Sequence, residues 1–187
     1  MKPGFLIGLV VGVLLIPLGV YFYLAGGYAP VATSSPPMPF ENMLAHKALD
    51  ARVAKEMPKS APFEPTEANL TAGVALYKEN CAVCHGLPGG SKSFIAAGMF
   101  PPPPQLFKGK GVTDDEPGET YWKVANGIRL TGMPGFHGSL KEDQLWQVSL
   151  LLAKADALPE SVKNALTNMD LVATGEFRLV PGTTLKQ

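Results

Sequence analysis

The stretch "ENCAVCHGLPGG" holds Cys81 and Cys84, the only two cysteines in the chain, with His85 directly behind them. Four uses of such a trio compete on physical grounds. A disulfide across two intervening residues closes a tight loop and removes little chain entropy. A closed zinc site needs four nitrogen or sulfur ligands, and the other histidines, His46 and His137, stand at no finger-like spacing. A thioredoxin-like pair belongs in a strand–turn–helix unit, whereas the residues before Cys81 carry a helical pattern. The order C-x-x-C-H matches covalent attachment of a c-type heme. In that chemistry Cys81 and Cys84 each form a thioether to a vinyl group and His85 reaches the iron from the proximal side. A chain so marked has to fold around a flat macrocycle.

The second constraint lies at the amino terminus. The run "FLIGLVVGVLLIPLGVYFYL" from Phe5 to Leu24 contains no charged residue. About 20 helical residues rise about 30 Å, the thickness of a bilayer's hydrocarbon core, so the run reads as a spanning helix. A cleaved signal peptide is the alternative, with "AGGYA" from Ala25 to Ala29 as its small-residue site. No cysteine lies near the amino terminus to carry a lipid. Lys2 precedes the run and no charge follows until Glu41, which puts the amino terminus in the cytoplasm. Gly4, Gly8 and Gly12 recur every four residues, a small-residue face that a second helix can approach closely. Pro17 removes a backbone donor and is expected to kink the span.

The composition of the whole chain is globular, 46% hydrophobic and 17% charged, with the apolar excess in this run. Formal net charge is zero and no long run of one sign occurs, which argues against nucleic acid and against a strongly steered partner. The small opposed clusters, Lys108 and Lys110 against Asp114, Asp115, Glu116 and Glu119, read as solvated loop.

Composition and periodicity divide the chain into an anchor (1–25), a Pro/Gly/Ser-rich tether (26–39), an amphipathic helical segment (40–65), a heme domain (66–158) and a C-terminal extension (159–187). The tether favours extended polyproline geometry. Phe40 to Met57 carries apolar side chains at a helical repeat. A helix begins near Thr66, a suitable N-cap with Glu67 in the first turn, and runs into the heme motif. Gly73 inside it costs about 1 kcal/mol relative to alanine, and close approach of another helix would account for it. Leu87 to Thr113 reads as loop, with four prolines at 101–104. A short helix spans Pro117 to Gly127. The strongest helix begins with a Ser139/Glu142 capping box and turns Leu145, Trp146, Val148, Ser149 and Leu152 to the core. One more short helix fits Pro159 to Thr167.

An iron held by His85 has an opposite axial face. Met38, Met43, Met57, Met99, Met169 and His137 are candidates to fill it, but Met133 is favoured. It lies far enough beyond His85 for the chain to wrap past the heme edge. Pro134 biases it to extended backbone, and Gly132 and Gly135 let the chain turn tightly beside the macrocycle. His137, in the same loop, is the second choice.

Together, "GVALYKENCAVCHG", "PQL" at Pro104 to Leu106, "NGIRLTGMPGF" from Asn126 and "LWQVSLLL" from Leu145 are similar to bacterial class I c-type cytochromes, here monoheme and membrane-anchored, over roughly residues 66–155. The resemblance implies an all-α class I cytochrome c fold around one covalent heme c, behind an N-terminal transmembrane helix. It implies that the first and last helices of that fold cross near Gly73 and Trp146. It implies a heme-binding set of Cys81, Cys84, His85, Pro104, Leu106 and Met133, with His85 and Met133 on the iron and the Pro104 carbonyl accepting from the His85 Nδ1–H. Because c-type heme is attached outside the bacterial inner membrane, it also implies a single-pass inner-membrane protein with a periplasmic heme domain. The four prolines, the helical segment before Thr66 and the tail after Leu158 depart from the family pattern.

The function implied is one-electron transfer between membrane redox partners on the periplasmic side, with no catalysis of its own, as a shuttle or as a subunit of a respiratory complex. Phe94, Ile95, Phe100, Leu106, Trp122, Ile128, Leu130 and Phe136 would wall the pocket. A heme enzyme or ligand sensor with a displaceable sixth ligand is the alternative, with His137 the one residue offering distal acid–base chemistry. A structural subunit whose heme transfers no electrons is the third reading.

Overall fold

The computed structural model describes residues 3–108 and 113–168, with side chains from Gly4 onward apart from 5–7. Lys2, Lys110, Met169 and the tail after residue 168, all invoked above, lie outside the described residues. Those residues form eight helices: α1 (Pro3–Ala25), α2 (Glu41–Glu56), α3 (Glu67–Asn80), α4 (Ala82–His85), α5 (Phe94–Ala97), α6 (Pro117–Asn126), α7 (Glu142–Ala153) and α8 (Glu160–Thr167). The chain separates into two units, residues 1–48 and 49–187.

In the first unit, α1 includes Pro17 within its length. Its window Gly8–Ala25 has mean hydropathy 2.2, is long enough to cross a membrane, and buries none of its residues against protein. Gly4, Gly8 and Gly12 have open space where a Cβ would sit.

The second unit is helix packed on helix. α3 starts where its sequence provides a cap: the Thr66 side chain accepts from the Asn69 N–H at 3.3 Å, and Glu67 occupies the first turn. α6 starts with Pro117 in its first turn and stops at Gly127, whose φ of 68° a side chain would resist. α7 packs on both α3 and α6, and α8 packs on α3. Placed between two neighbours, α7 buries Leu145, Trp146, Val148, Ser149, Leu150, Leu151 and Leu152, more of its circumference than one stripe. The Ser149 hydroxyl, fully buried, donates to the Leu145 carbonyl. Tyr121 of α6 stacks on Trp146 with ring centroids 4.3 Å apart.

Gly73 sits where α3 meets α7. A Cβ there would lie 2.5 Å from the Gln147 carbonyl oxygen and 3.2 Å from the Leu151 Cβ. The tight contact is thus with Gln147, one residue past the Trp146 expected.

Two expectations are corrected. Ser139 and Glu142 form no capping box: Ser139 donates back to the Phe136 carbonyl, α7 begins at Glu142, and the Gln144 side chain accepts from the Lys141 N–H. The Leu140–Lys141 turn moves the helix start past Ser139. The stretch 87–113 is not all loop, since the Ser93 hydroxyl caps a single turn, α5, by accepting from the Ala96 N–H. α8 explains part of the unassigned tail. Val162 and Leu166 are buried, the Ser161 hydroxyl donates to Glu67, and Lys78 Nζ donates to the carbonyls of Ala165 and Asn168 at the end of α8.

Candidate functional site

α3 delivers the cysteines. Its last turn passes directly into α4, with the His85 N–H donating to the Cys81 carbonyl at 2.9 Å, so Cys81, Cys84 and His85 share one helical turn. The two cysteines are half-buried and are not joined to each other in a disulfide. Burial, reinforced by Cys84, pushes the Cys81 thiol up to about 12. Gly86, at φ 73°, ends the turn, and its carbonyl accepts from the buried Tyr77 hydroxyl at 2.7 Å. Burial, with the Cys81 charge, raises the Tyr77 phenol and keeps it a donor.

The His85 ring has one nitrogen occupied. Nδ1 lies 2.8 Å from the Pro104 carbonyl oxygen, which has no proton to offer, so Nδ1 carries the hydrogen and Nε2 keeps its lone pair. Burial lowers the His85 pKa and the Pro104 bond raises it in part, which leaves the neutral ring favoured. A neutral imidazole with a free Nε2 is a metal ligand in waiting. Leu106, two residues past Pro104, is buried in the core cluster, against which Cys81 and Met133 also pack.

Met133 sits in a loop anchored at several points. Its N–H donates to the Thr131 hydroxyl and its carbonyl accepts from the Ile128 N–H. The loop then crosses the end of α6, where Phe136 and His137 donate their N–H groups to the Val124 and Ala125 carbonyls, which the helix itself leaves unpaired. The crossing depends on two glycines. A Cβ on Gly127 would lie 2.8 Å or less from atoms of Met133, Pro134 and Gly135, and one on Gly135 would lie 2.7 Å from the Asn126 carbonyl.

Of the sequence-predicted residues, Cys81, Cys84, His85 and Pro104 are joined by hydrogen bonds or by one turn, and Leu106 and Met133 share the adjoining core. His137 is exposed. Met38 and Met43 are exposed in the first unit. Of the residues expected to wall the pocket, Leu106 is buried and Phe100, Trp122, Ile128 and Phe136 are half-buried. Phe94, Ile95 and Leu130 are exposed: Phe94 opens a one-turn helix, and Leu130 occupies a turn at φ 61°.

Two residues, Tyr77 and Gln105, escaped the sequence reading of the site, and Met99, an axial candidate there, makes a contact that reading did not place. Tyr77 was legible only as the aromatic one turn before Cys81. Met99 rests on Gly132, where its Cε would be 2.6 Å from an added Cβ. Gln105 lies against Gly86, and its Nε2 is buried without a hydrogen-bond partner among the described residues, as is the Thr120 hydroxyl. Buried polar atoms rarely go unpaired. Two cysteines on one turn, a neutral imidazole and an unpaired Gln105 Nε2 beside Gly86 suit a covalent heme. No group of three or more His, Cys, Asp or Glu suited to a metal occurs among the described residues.

Residues 68–150 match the family model described as "Cytochrome C oxidase, cbb3-type, subunit III". No curated protein matches the chain. A solved structure, the Kuenenia stuttgartiensis reducing HAO-like protein complex Kustc0457/Kustc0458, is similar at 27% identity and a TM-score of 0.45, over 51% of this chain and 47% of that one. The family match identifies residues 68–150 as a cytochrome c domain, an electron-transfer domain of the kind that carries covalent heme c, behind an N-terminal apolar helix.

Proposed function

We propose, from the premise of a cytochrome c domain, that the protein is a membrane-tethered monoheme carrier passing single electrons between membrane redox complexes on the periplasmic side. The observation that carries this reading is the His85 Nδ1–Pro104 carbonyl bond, because it leaves Nε2 of a neutral ring available to a metal on the turn bearing both cysteines. Heme c bound here supplies a one-electron iron couple. Cys81 and Cys84 attach it, the Pro104 carbonyl fixes the His85 tautomer and makes the ring more electron-rich, and Leu106 shields it from water. Met133, its backbone held by the Thr131 and Ile128 bonds, would supply the second ligand to the iron. A thioether in that place would close the iron to small molecules, which suits a carrier.

Electron exchange takes place where apolar side chains stand in solvent. Val83 lies between the two cysteines and is 49% exposed, Phe94 is 87% exposed and Leu130 is 93% exposed. Their elements are linked, since the Ser93 hydroxyl donates to the Val83 carbonyl and Met99 rests on Gly132. The matched family is named for an oxidase subunit, and the open Gly4/Gly8/Gly12 face of α1 fits a helix partner, so we favour a fixed subunit over a free shuttle. α1 is read as an anchor in lipid through residues 5–24, with the amino terminus in the cytoplasm.

The test is mass spectrometry of the mature chain, followed by potentiometry and carbon monoxide binding on Met133→Ala. Expected are one heme's added mass, a lower midpoint potential and an iron opened to carbon monoxide. A mature chain without attached heme, or a variant spectrally identical to its parent, would overturn the assignment.

A further inference from the structure

We propose that the outward face of α2, built from Phe40, Met43, Leu44 and Ala48, lies on the lipid surface beside the anchor; the inference rests on reading α1 as a retained anchor. α2 carries two apolar stripes. One runs through Leu49, Val53 and Met57, four residues apart, with Val53 buried in the second unit and Leu49 and Met57 half-buried. The other is bare: Phe40 is 70%, Met43 52% and Leu44 60% exposed, and Ala48 is exposed as well. Leu44 precedes Val53 by nine residues, which at 3.6 residues per turn puts the two about 180° apart. Phe40, Leu44 and Ala48, four residues apart, therefore form a second face opposite Val53, with the exposed Met43 on its flank.

Three observations select lipid as what covers it. α1 ends in Tyr21, Phe22 and Tyr23, followed by Tyr28, all exposed, an aromatic cluster of the kind that marks the membrane–water boundary. From Gly26 to Phe40 the chain carries no charge and exposes Tyr28 and Val31, so nothing in it draws the backbone away from that boundary before α2 begins. α2 itself has three residues of each charge sign, Glu41, Asp50 and Glu56 against Lys47, Arg52 and Lys55, which suits a neutral headgroup layer. The turn into the helix is also built to direct an aromatic outward. Phe40 has φ 65°, a region non-glycine residues seldom occupy, and the turn is held by the Met38 N–H donating to the Glu41 carboxylate at 2.7 Å and the Leu44 N–H donating to the Phe40 carbonyl at 2.9 Å. A tether lying on the surface in this way would hold the cytochrome c domain close to the membrane instead of letting it range over the full extended length of residues 26–40.

The test uses the full-length holoprotein, one chain per disc, in phosphatidylcholine nanodiscs. A spin label is attached in turn to Leu14→Cys in α1, Leu44→Cys, and Asn42→Cys, which lies about 160° round the helix from residue 44. Collision with dissolved oxygen, which concentrates in lipid, is compared with collision with a water-soluble nickel chelate. The expected result is an oxygen-to-chelate ratio severalfold higher at 44 than at 42, approaching the ratio at 14. A lipid-like label at 14 with equal, chelate-accessible labels at 42 and 44 overturns the inference and leaves the anchor standing. A water-like label at 14 overturns the anchor reading and this inference with it. A label at 44 shielded from both reagents means protein, such as a second copy, covers the face, and that also refutes lipid contact.

Discussion

Gly73→Ala isolates the interface that holds the cytochrome c domain together. In an ordinary exposed helix the change would add about 1 kcal/mol of stability, because alanine loses less backbone entropy than glycine. Here the new Cβ would lie 2.5 Å from the Gln147 carbonyl oxygen and 3.0 Å from its carbonyl carbon. Both atoms are helix backbone and cannot swing aside as a side-chain tip could. Restoring an ordinary separation requires α3 and α7 to part by most of an ångström, and a gap of 0.5–1 Å forfeits about a quarter to a half of each van der Waals contact it opens. Overpacking of this kind costs about 1–3 kcal/mol, and rigid obstacles favour the upper end. Subtracting the propensity gain leaves a net loss of about 2 kcal/mol. For the unit spanning residues 49–187 that lowers Tm by about 7 °C. Guanidinium unfolding of the holoprotein followed by far-UV circular dichroism should show a lower midpoint with unchanged slope. Ala75→Gly, at an exposed position on the same helix, serves as the control and should cost about 1 kcal/mol from propensity alone. If Gly73→Ala proves as stable as the parent or more so, the close crossing of α3 and α7 is wrong.

Gly127→Ala should cost at least about 2 kcal/mol, because a side chain is strained at φ 68° and would strike the Met133–Gly135 backbone; denaturant titration gives the loss, and a lower midpoint potential would show that the Met133 loop has shifted with it. Tyr77→Phe leaves the Gly86 carbonyl without its buried donor and should destabilise by about 1–3 kcal/mol, checked by thermal melts, with faster amide exchange around Gly86. Asp115 is the group to follow with pH. Burial raises its pKa, Glu119 and Asp114 add to the rise, and Lys123 opposes it. With the folded value above the unfolded one, the native state holds the proton more tightly, so this group's contribution to stability is lost as pH rises from about 4 through the raised value. Asp115→Asn should flatten that fall in melts across the acid range, and an unchanged slope would assign it to other groups.

The proposed attachment turn could be read directly, since Cys81, Cys84 and His85 are neighbours along the chain and one helical turn suffices to place them together. The same holds for α1, for the Thr66 cap of α3 and for the Pro117 and Gly127 ends of α6, where local sterics and hydrogen bonding act within a few residues. Gly73 was legible as a cost seeking a cause, but its partner carbonyl lies on a helix far along the chain. The Ser139 capping box failed because the signal is degenerate: the Gln144 side chain, two residues further on, serves the Lys141 N–H instead. Phe94 and Leu130 were read as pocket wall on hydrophobicity, which says what a side chain gains from burial; the backbone that sets their exposure, a one-turn helix and a turn at φ 61°, was not legible.

Local chemistry therefore established the identity of the attachment turn, the helical character of the chain and the apolar amino-terminal helix, because each depends on residues close in sequence. Tertiary structure decided what those local rules leave open: that α7 is buried on nearly every side between α3 and α6, that α8 closes over α3 through Lys78 and Ser161, and that the Met133 loop caps α6. These are non-local pairings, and their energies depend on which surfaces meet, a property of packing that no window of sequence contains.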